Sequence, residues 1–356
     1  MIVAGGTGGH VYPGIAVADE LHRMGIRTHW LGSRHGIEAR VVAGTAIPLS
    51  LVRIRGLRRG GWLRWLTAPF IVALATAHAL IVMIKIRPSV VLGMGGFVSG
   101  PGGVAAWLCR KPLVIHEQNA VPGLTNRLLS RIATRVLEAF PRSFPVQVNA
   151  RCTGNPVRDD IASVGNAGLE TRSEGPLNLL VFGGSRGARK LNRVVPAALS
   201  LAQSTLGQFT VLHQCGADMV EETRVAYREA GFADQVEIQP YIDDMASAYS
   251  RADLVIARAG ALTIAELAAS GKPSILIPYP HAVDDHQALN ARYLTNSGAA
   301  VSLDEPALTA TTLAQQLSGI TANQSLAKMS AAALELGRPQ ATQDVAHACV
   351  EVLDAS

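Results

Sequence analysis

The chain has 356 residues, 48% of them hydrophobic and only 17% charged, which excludes a disordered chain and makes two domains the expectation. Its four cysteines stand far apart and none forms a C-x-x-C pair, so neither a zinc site nor a disulfide framework is indicated, and a reducing cytoplasm fits. The formal net charge of +5 is unevenly distributed. Residues 1–156 carry 18 Lys and Arg against 5 Asp and Glu, whereas residues 157–356 carry 14 Lys and Arg against 22 Asp and Glu. The basic half indicates an anionic partner, and composition does not distinguish lipid headgroups, nucleic acid and a phosphorylated substrate.

Strands and helices are predicted to alternate along both halves. The chain opens on a strand-like run with no basic segment before it, so no signal peptide is predicted. Six strands are predicted in each half, at 1–4, 27–32, 47–52, 89–93, 112–116 and 134–139, and at 177–182, 208–213, 235–239, 253–257, 274–278 and 299–303. Helices with apolar residues at three- and four-residue spacing are predicted at 10–24, 99–109, 121–132, 187–204, 217–230, 261–270 and 284–297. The predicted fold class is therefore α/β, with two Rossmann-like domains whose parallel sheets face each other across a cleft.

The boundary between the domains is predicted near Gly154-Asn155-Pro156, where a polar, glycine-containing stretch begins. This gives an N-terminal domain at 1–156 and a C-terminal domain at 157–338. The last segment, 339–356, is predicted to be a helix. Its periodicity leaves open which domain it packs on, and a return to the N-terminal domain is one of the two alternatives.

A glycine loop follows the first predicted strand. Gly5-Gly6-Thr7-Gly8-Gly9-His10 opens a helix, where unpaired amides and the positive end of the helix dipole suit an anion. A nicotinamide site would require an acid at the end of the second strand, and Gly32-Ser33 stands there instead. His10 has two interpretations: a residue that packs or caps at the helix start, or a general base for a sugar hydroxyl, since a helix N-terminus disfavours the imidazolium.

Residues 66–84 form an apolar run about as long as a membrane-spanning helix. Pro69 and His78 interrupt this run, and five Arg between positions 53 and 64 precede it, interleaved with Trp and Leu. Two interpretations are open: a long, mostly buried crossover helix, or an amphipathic segment at an anionic membrane interface. A true span is rejected, because it would separate the strands on either side.

Polar and glycine-rich segments also follow the next two strands. Residues 93–103 contain six glycines in eleven positions, more than a tight turn needs, so a second contact with an anion or lipid phosphate is predicted. The run from His116 through Glu117 and Gln118 to Asn119 ends the following strand. Ligands of parallel sheets bind beyond the carboxyl ends of the strands, so these polar side chains are expected to contact substrate rather than to pack.

The second half repeats this arrangement. Residues 183–187 (GGSRG) follow its first strand, and residues 258–266 (RAGALTIAE) follow its fourth. Amides near Gly260 are expected to hold a diphosphate, and Glu266 is expected to accept hydrogen bonds from both ribose hydroxyls. A further polar cluster, residues 284–291 (DDHQALNA), follows the next strand.

Metal catalysis is not predicted, because neither a D-x-D nor an H-E-x-x-H motif occurs. The charge of a leaving group must then be met by helix dipoles, amides and arginine. Arg158 and Arg186 are the candidates.

Seven motifs together identify the chain as similar to the MurG family of peptidoglycan N-acetylglucosaminyltransferases, in the GT-B superfamily. They are GGTGGH, GMGGFVSGPGG, HEQNAVPG, GNPVR, GGSRGA, RAGALTIAE and DDHQALNA. The resemblance, which runs from Gly5 to about residue 350, implies an inverting transfer of N-acetylglucosamine from UDP-GlcNAc to lipid I (undecaprenyl-pyrophosphoryl-MurNAc-pentapeptide), giving lipid II. It also implies a peripheral position at an anionic membrane surface, on the cytoplasmic face of the bacterial cell membrane. It further implies contacts with other cell-wall synthesis and division proteins, and neither a cofactor, a metal nor a nucleic acid.

The resemblance also implies roles for single residues, with His10 as the base. UDP-GlcNAc would be bound by Thr7, Gly8, Gly9, Asn119, Arg158, Ser185, Ile242, Ala261, Leu262, Thr263, Glu266 and Gln287. The acceptor diphosphate would contact Gly5, Gly6, Gly95, Gly96, Ser99 and Gly100. A hydrophobic and basic membrane patch would consist of Trp62, Arg64, Trp65, Leu66, Phe70, Trp107 and Arg131.

The chain departs from the family pattern at two positions, since Arg186 and His286 stand where the family often has Gln. Their contacts with the donor are therefore left open. The start at Met1 leaves a very short first strand, so a few further residues are expected upstream.

Three rival functions are compatible with the sequence. One is a GT-B enzyme with another lipid acceptor, such as a diacylglycerol galactosyl- or glucosyltransferase, which acceptor assays would distinguish. Another is a UDP-GlcNAc 2-epimerase, which would consume UDP-GlcNAc with no acceptor present. The third is a nucleotide-sugar sensor, in which His10 beside a glycine loop would have no obvious purpose.

Overall fold

The computed structural model describes residues 1–54, 62–166, 175–184, 187–280, 285–322 and 325–355, without the side chains of residues 62–67 and 166. The chain divides into two compact units. The first unit is Met1–Arg158 together with Gln340–Ser356, and the second is Asp159–Pro339.

The first unit contains a parallel sheet with helices on its faces. Its strands are β1 (Ile2–Val3), β2 (Trp30–Ser33), β3 (Leu49–Val52), β4 (Val91–Gly93), β5 (Leu113–Glu117), β6 (Arg135–Glu138) and β7 (Arg151–Cys152). Its first helices are α1 (Gly8–Arg23), α2 (Glu38–Val41), α3 (Trp62–Ile86), α4 (Ser99–Leu108) and α5 (Leu124–Leu129). The strand order is β3-β2-β1-β4-β5-β6-β7. The order reverses between β1 and β4, so the loops after these two strands meet at the topological switch point, where doubly wound sheets bind ligands.

The second unit repeats this topology. Its strands are β8 (Leu177–Phe182), β9 (Phe209–Gln214), β10 (Val236–Gln239), β11 (Leu254–Ala257), β12 (Ser274–Leu276) and β13 (Ala300–Ser302). Its helices are α6 (Asp159–Asn166), α7 (Arg189–Leu206), α8 (Val220–Glu229), α9 (Met245–Arg251), α10 (Ala261–Ala269), α11 (His286–Thr295), α12 (Ala310–Ala322) and α13 (Leu326–Leu336). The order is β10-β9-β8-β11-β12-β13, so the switch point lies between β8 and β11.

The last helix, α14 (Ala341–Asp354), belongs to the first unit and packs on α1. Val345, Ala346 and Cys349 are buried in the same cluster as Ile2 of β1 and Val11 of α1. At the start of the helix, the Thr342 hydroxyl donates a 2.8 Å hydrogen bond to the carbonyl of Val157. This apolar face covers one side of the first sheet, while α3 and α4 cover the other.

The predicted strand–helix alternation and α/β fold class are confirmed. All twelve predicted strands are present, with ends shifted by at most three residues. The prediction of six strands in the first half was wrong, because a seventh, β7, adds to the edge of the sheet beside β6. This strand has only two residues, and both are exposed. It therefore lacks the buried apolar run from which a strand is predicted.

The interpretation of residues 66–84 as a mostly buried helix was also wrong. Helix α3 buries its small side chains, Ala75 and Ala79, against the sheet and α4, whereas Phe70 is 80% and Leu74 70% exposed. By length and composition alone, Ala68–Ile86 could cross a membrane, and 17% of its most apolar window is buried. In this unit α3 connects β3 to β4 as a crossover helix with an exposed apolar face.

Candidate active site

The first glycine loop follows β1 and leads into α1. Thr7 is the N-cap, in an extended conformation with φ −128° and ψ 159°. The first helical hydrogen bonds run from the amides of His10 and Val11 to the Thr7 carbonyl, at 3.1 and 3.2 Å. The hydroxyl of Thr7 also lies 3.2 Å from His10 Nδ1. The half-buried His10 ring is thus held at the helix N-terminus, where the dipole disfavours its protonated form.

A buried carboxylate lies behind this loop. Glu38 is fully buried; its Oε2 accepts a hydrogen bond from the Gly6 amide at 3.0 Å, and its Oε1 accepts from the Ser33 amide at 2.8 Å and hydroxyl at 2.5 Å. A Cβ on Gly5 would overlap the Glu38 carboxylate. The Gly6 amide is therefore already paired inside the unit, and its contact with the acceptor diphosphate stays a prediction. Sequence reasoning missed Glu38 because the contact joins residues 32 positions apart.

The second glycine loop follows β4 and packs against the first. Gly95 and Gly96 have φ of +92° and +84°, a conformation that side-chain-bearing residues rarely adopt. A Cβ on Gly96 would overlap the Gly5 carbonyl oxygen, and one on Gly95 would lie 2.8 Å from His10 Cδ2. Glycine at these positions lets the two loops and the His10 ring approach one another.

Ser99 and Gly100 begin helix α4 after this loop. The Ser99 hydroxyl is fully buried and lies 2.8 Å from the Val3 carbonyl and 2.7 Å from the Gly95 carbonyl. The hydroxyl proton is used inside the unit, and the contact of Ser99 with the acceptor diphosphate stays a prediction. Gly100 is half-buried in the first turn of the helix.

The polar residues that end β5 form an internal network. Glu117 is 3% exposed, and its carboxylate accepts hydrogen bonds from the Asn119 amide and side chain, the Gly123 amide and the Asn126 side chain, at 2.9 to 3.1 Å. The expectation that all four polar side chains contact substrate was wrong for Glu117. Its carboxylate instead folds the turn that presents Asn119.

His116 connects this turn to the segment after β7. The ring is fully buried, and burial lowers its pKa to about 4, so it is neutral near pH 7. Its Nε2 lies 2.9 Å from the Gly154 carbonyl, and its Nδ1 lies 3.1 Å from Gln118 Nε2. The Asn155 side chain donates to the Gln118 carbonyl at 2.9 Å. His116 and Asn155 thus join the HEQN and GNPVR motifs.

In the second unit, the loop after β8 carries part of the predicted donor site. Gly184 has φ +86°, while Ser185 and Arg186 lie outside the described residues. Ile242 is only 5% exposed, so its side chain packs in the unit and any ligand contact is left to its backbone.

Helix α10 begins at the switch point of the second sheet. Gly260 is its N-cap, and Ala261, Leu262 and Thr263 form the first turn. Glu266 lies one turn further, half-buried, and its Oε2 accepts a 3.0 Å hydrogen bond from the hydroxyl of the fully buried Tyr249. The helix thus presents N-terminal amides and an oriented carboxylate on one element.

Arg258 contacts the segment that follows β12. Its guanidinium forms an ion pair with Glu305, donates to the Ile277 carbonyl at 3.2 Å, and lies 5.4 Å from the centre of the Tyr279 ring. The Tyr279 amide donates to Gln287 Oε1 at 2.9 Å. The side-chain oxygen of Gln287 is therefore engaged, and its amide nitrogen is the end that remains for a donor contact. The pairing of Arg258 with Glu305 could not be read from the sequence.

The other predicted residues lie on separate parts of the first unit. Arg158 is half-buried and follows β7. Phe70 on α3 and Trp107 on α4 are 80% and 54% exposed, and Arg131 is exposed after α5. The side chains of Trp62, Arg64, Trp65 and Leu66 lie outside the described residues. Within the described part of the chain, no group of three or more His, Cys, Asp or Glu side chains is placed to hold a metal ion.

Models of two known domains match most of the chain. The glycosyltransferase family 28 N-terminal domain matches residues 1–138, and the glycosyltransferase family 28 C-terminal domain matches residues 178–345. The two matches cover the elements that form the two switch points.

Full-length relatives and a solved structure agree with these matches. The UDP-N-acetylglucosamine–N-acetylmuramyl-(pentapeptide) pyrophosphoryl-undecaprenol N-acetylglucosamine transferase of Nitrosococcus oceani is 50% identical over 355 residues, which is 99% of this chain and 98% of that protein. The protein of the same name from Alkalilimnicola ehrlichii is 51% identical over 353 residues, with the same coverage. The crystal structure of Acinetobacter baumannii MurG is 39% identical, with a TM-score of 0.83 over 99% of this chain and 98% of that one. The chain therefore belongs to glycosyltransferase family 28 and, within it, to the MurG family.

Proposed function

We propose that the chain transfers N-acetylglucosamine from UDP-GlcNAc to the MurNAc 4-hydroxyl of lipid I, with inversion, to form lipid II. The observation that carries the proposal is the geometry of the first switch point, where His10 stands at a helix N-terminus between two glycine loops and beside the turn that presents Asn119. Full-length relatives named for this reaction give the substrates.

His10 is the general base in this proposal. The helix dipole disfavours the protonated ring, and the neutral ring can take the proton of the 4-hydroxyl as that oxygen attacks the anomeric carbon of the donor sugar. The bond from the anomeric carbon to UDP breaks in the same step, and its electron pair leaves on the phosphate oxygen. A single displacement from the opposite face inverts the anomeric centre.

The UDP portion of the donor is assigned to the second unit. Backbone amides at the start of α10 donate hydrogen bonds to the diphosphate and stabilise its negative charge. The carboxylate of Glu266, which Tyr249 orients, accepts hydrogen bonds from the ribose hydroxyls. For the acceptor diphosphate, the pairing of Gly6 and Ser99 leaves Gly5, Gly95, Gly96 and Gly100 as the assigned contacts.

The apolar face of α3 is proposed to hold the enzyme on the membrane that contains its lipid acceptor. Phe70, Leu74, Ile81 and Ile84 are 59 to 80% exposed, and their spacing places them on one side of the helix. Trp107 is exposed on α4, the helix that packs beside α3, and the five arginines between positions 53 and 64 of the sequence suit anionic headgroups. The enzyme is then peripheral, on the cytoplasmic face where UDP-GlcNAc is available.

Vesicle binding tests this surface. A Phe70→Ser/Leu74→Ser variant should bind anionic phospholipid vesicles much more weakly than the wild type, while Leu201→Ser, at a 60% exposed apolar residue of the second unit, should not change binding. Equal binding by all three proteins would remove α3 from the proposal.

The transfer assay tests the function itself. Labelled UDP-GlcNAc and a short-chain lipid I analogue are incubated with the enzyme in detergent and EDTA, and labelled lipid II is the expected product. Binding of UDP-GlcNAc without transfer would favour a different lipid acceptor. Consumption of UDP-GlcNAc without any acceptor would favour an epimerase.

A further inference from the structure

We infer that Gln118 is a positioning residue for His10: its side-chain oxygen accepts the Nε2–H of His10 and makes Nδ1 the nitrogen that takes the proton from the acceptor. This inference rests on the proposed function, because it deepens the role of His10 in that reaction.

The orientation of the Gln118 amide follows from its neighbours. The Gly154 carbonyl can only accept a hydrogen bond, so His116 Nε2, 2.9 Å away, carries the proton. The buried His116 is neutral, so its Nδ1 is an acceptor and must face the amide nitrogen of Gln118, at 3.1 Å. A second contact from Gln118 Nε2 to the His116 carbonyl, at 3.3 Å, holds the same orientation. The oxygen of Gln118 therefore points the other way.

That oxygen is buried and unsatisfied. Gln118 is 1% exposed, and its Oε1 has no hydrogen-bond partner among the residues that the structure describes. Leaving a buried polar atom unpaired costs about 1 to 3 kcal/mol. Native structures leave few such atoms, and a catalytic role is one of their recognised explanations.

His10 and this oxygen lie on the same side of Gly95. A Cβ built on Gly95 would lie 3.0 Å from His10 Nε2 and 3.2 Å from Gln118 Oε1. Both atoms therefore face the position that this Cβ would occupy. Hydrogen bonds of catalytic groups are often long in ligand-free enzymes and tighten when the substrate binds. A rotation of the His10 ring toward Gln118 would complete this hydrogen bond.

The protonation pattern then follows. With Nε2–H donated to Gln118, Nδ1 carries the lone pair, and the Thr7 hydroxyl, 3.2 Å away, donates to it in the absence of substrate. The acceptor hydroxyl takes that place and passes its proton to Nδ1 as its oxygen bonds to the anomeric carbon. The amide oxygen of Gln118 stabilises the resulting imidazolium, as the third group of a catalytic triad does.

Four ionisable groups have described contacts with the loops and the turn around His10. Glu38 lies under Gly6, the neutral His116 lies behind Gln118, and Tyr12 packs on Gly8 one turn along α1. The carboxylate of Glu117 faces Asn119, Gly123 and Asn126. These groups are the same in every variant below, so a shift in the pH profile reports on residue 118.

The test compares Gln118→Met with Gln118→Glu over a pH series of the lipid I transfer assay. Both variants remove the amide N–H that faces His116, but only Glu keeps an oxygen toward His10. We expect Met to lower kcat about 10- to 100-fold and to leave UDP-GlcNAc affinity unchanged. We expect Glu to remain within about threefold of the wild type and to raise the apparent pKa of the acid limb by about one unit, because an anionic acceptor favours the imidazolium.

Gln214→Met is the matched control. Gln214 is buried at the end of β9 in the second unit, where its amide donates to the Pro240 carbonyl at 3.1 Å, and the same substitution there should leave kcat and the pH profile unchanged.

Equal losses for Met and Glu with no change in pH profile would overturn the inference and make Gln118 a support for His116 only. Transfer that survives His10→Ala would also overturn it, while leaving the proposed function intact. A wild-type enzyme that does not glycosylate the lipid I analogue would overturn both.

Discussion

Among the described residues, each unit has a fully buried histidine in a strand beside its candidate site. His116 lies in β5 and His213 in β9; both are fully buried, and burial lowers their pKa to about 4 and about 3. In each ring the proton sits on Nε2, because the partner there is an oxygen acceptor, and Nδ1 accepts. Fold and protonation are thus alike in the two units.

The two networks differ in how they end. In the second unit, Tyr227 donates to His213 Nδ1 at 2.9 Å, His213 donates to Asn192 at 3.1 Å, and Asn192 donates to the Cys215 carbonyl at 2.9 Å. In the first unit the chain of bonds passes from His116 to Gln118 and stops at an oxygen with no described partner. A closed network serves stability, whereas an open one beside a glycine loop indicates chemistry.

The largest expected effect is at the end of the open network. His10→Ala should lower turnover about 10²- to 10⁴-fold, because it removes the proposed general base, and should leave the affinity for UDP-GlcNAc nearly unchanged. Rates and donor binding are measured separately by single-turnover transfer and calorimetry. His22→Ala, at an exposed position near the other end of α1, is the control. Parallel losses of rate and affinity would make His10 a structural residue.

Both networks contain a buried neutral histidine, which predicts that each unit loses stability in acid. Each histidine has an unfolded pKa near 6.5 and a lower folded one, so between about pH 6.5 and 4 the unfolded chain binds protons that the folded chain does not. Stability should be complete above pH 6.5 and fall by on the order of 3 kcal/mol per histidine by pH 4. Denaturant unfolding at pH 7.5, 6 and 5 measures this slope. A His213→Asn variant should lose part of it, and a flat profile would contradict the neutral assignments.

Within the second unit, two buried tyrosines distinguish the site from the core. Tyr249 donates to Glu266, so Tyr249→Phe should raise KM for UDP-GlcNAc about 5- to 10-fold by leaving the carboxylate less well oriented, with kcat little changed. Steady-state kinetics with varied donor measures it. An unchanged KM would show that Glu266 does not depend on Tyr249.

The smallest effect is expected in the closed network. Tyr227→Phe removes the hydroxyl that donates a hydrogen bond to His213 Nδ1. This variant should lower the free energy of unfolding by about 1 kcal/mol without altering kcat or KM. Chemical denaturation and the transfer assay measure both quantities on one preparation. A kinetic effect here would contradict the assignment of this network to stability.

Periodicity predicted most of the fold, because buried parallel strands and amphipathic helices leave local patterns. It also placed the motifs correctly at the carboxyl ends of strands. It failed at α3, where alanines pack inward and Phe70 and Leu74 face outward, since hydropathy does not distinguish a buried face from an exposed apolar one. The buried contacts of Glu38 and Gln118 could not be predicted for a different reason. They join segments that are distant in the sequence, and local patterns do not show such contacts.

Helix α14 makes the first unit discontinuous along the chain, and this has a consequence for biosynthesis. The first sheet emerges from the ribosome early, but the apolar face that Val345 and Cys349 cover stays open until about residue 350 has been made. About 180 residues of the second unit are translated in between, which takes roughly 10 to 40 s at bacterial and eukaryotic elongation rates. The unit made second can therefore finish folding first, and the nascent first unit is the stage at which chaperone binding would matter most.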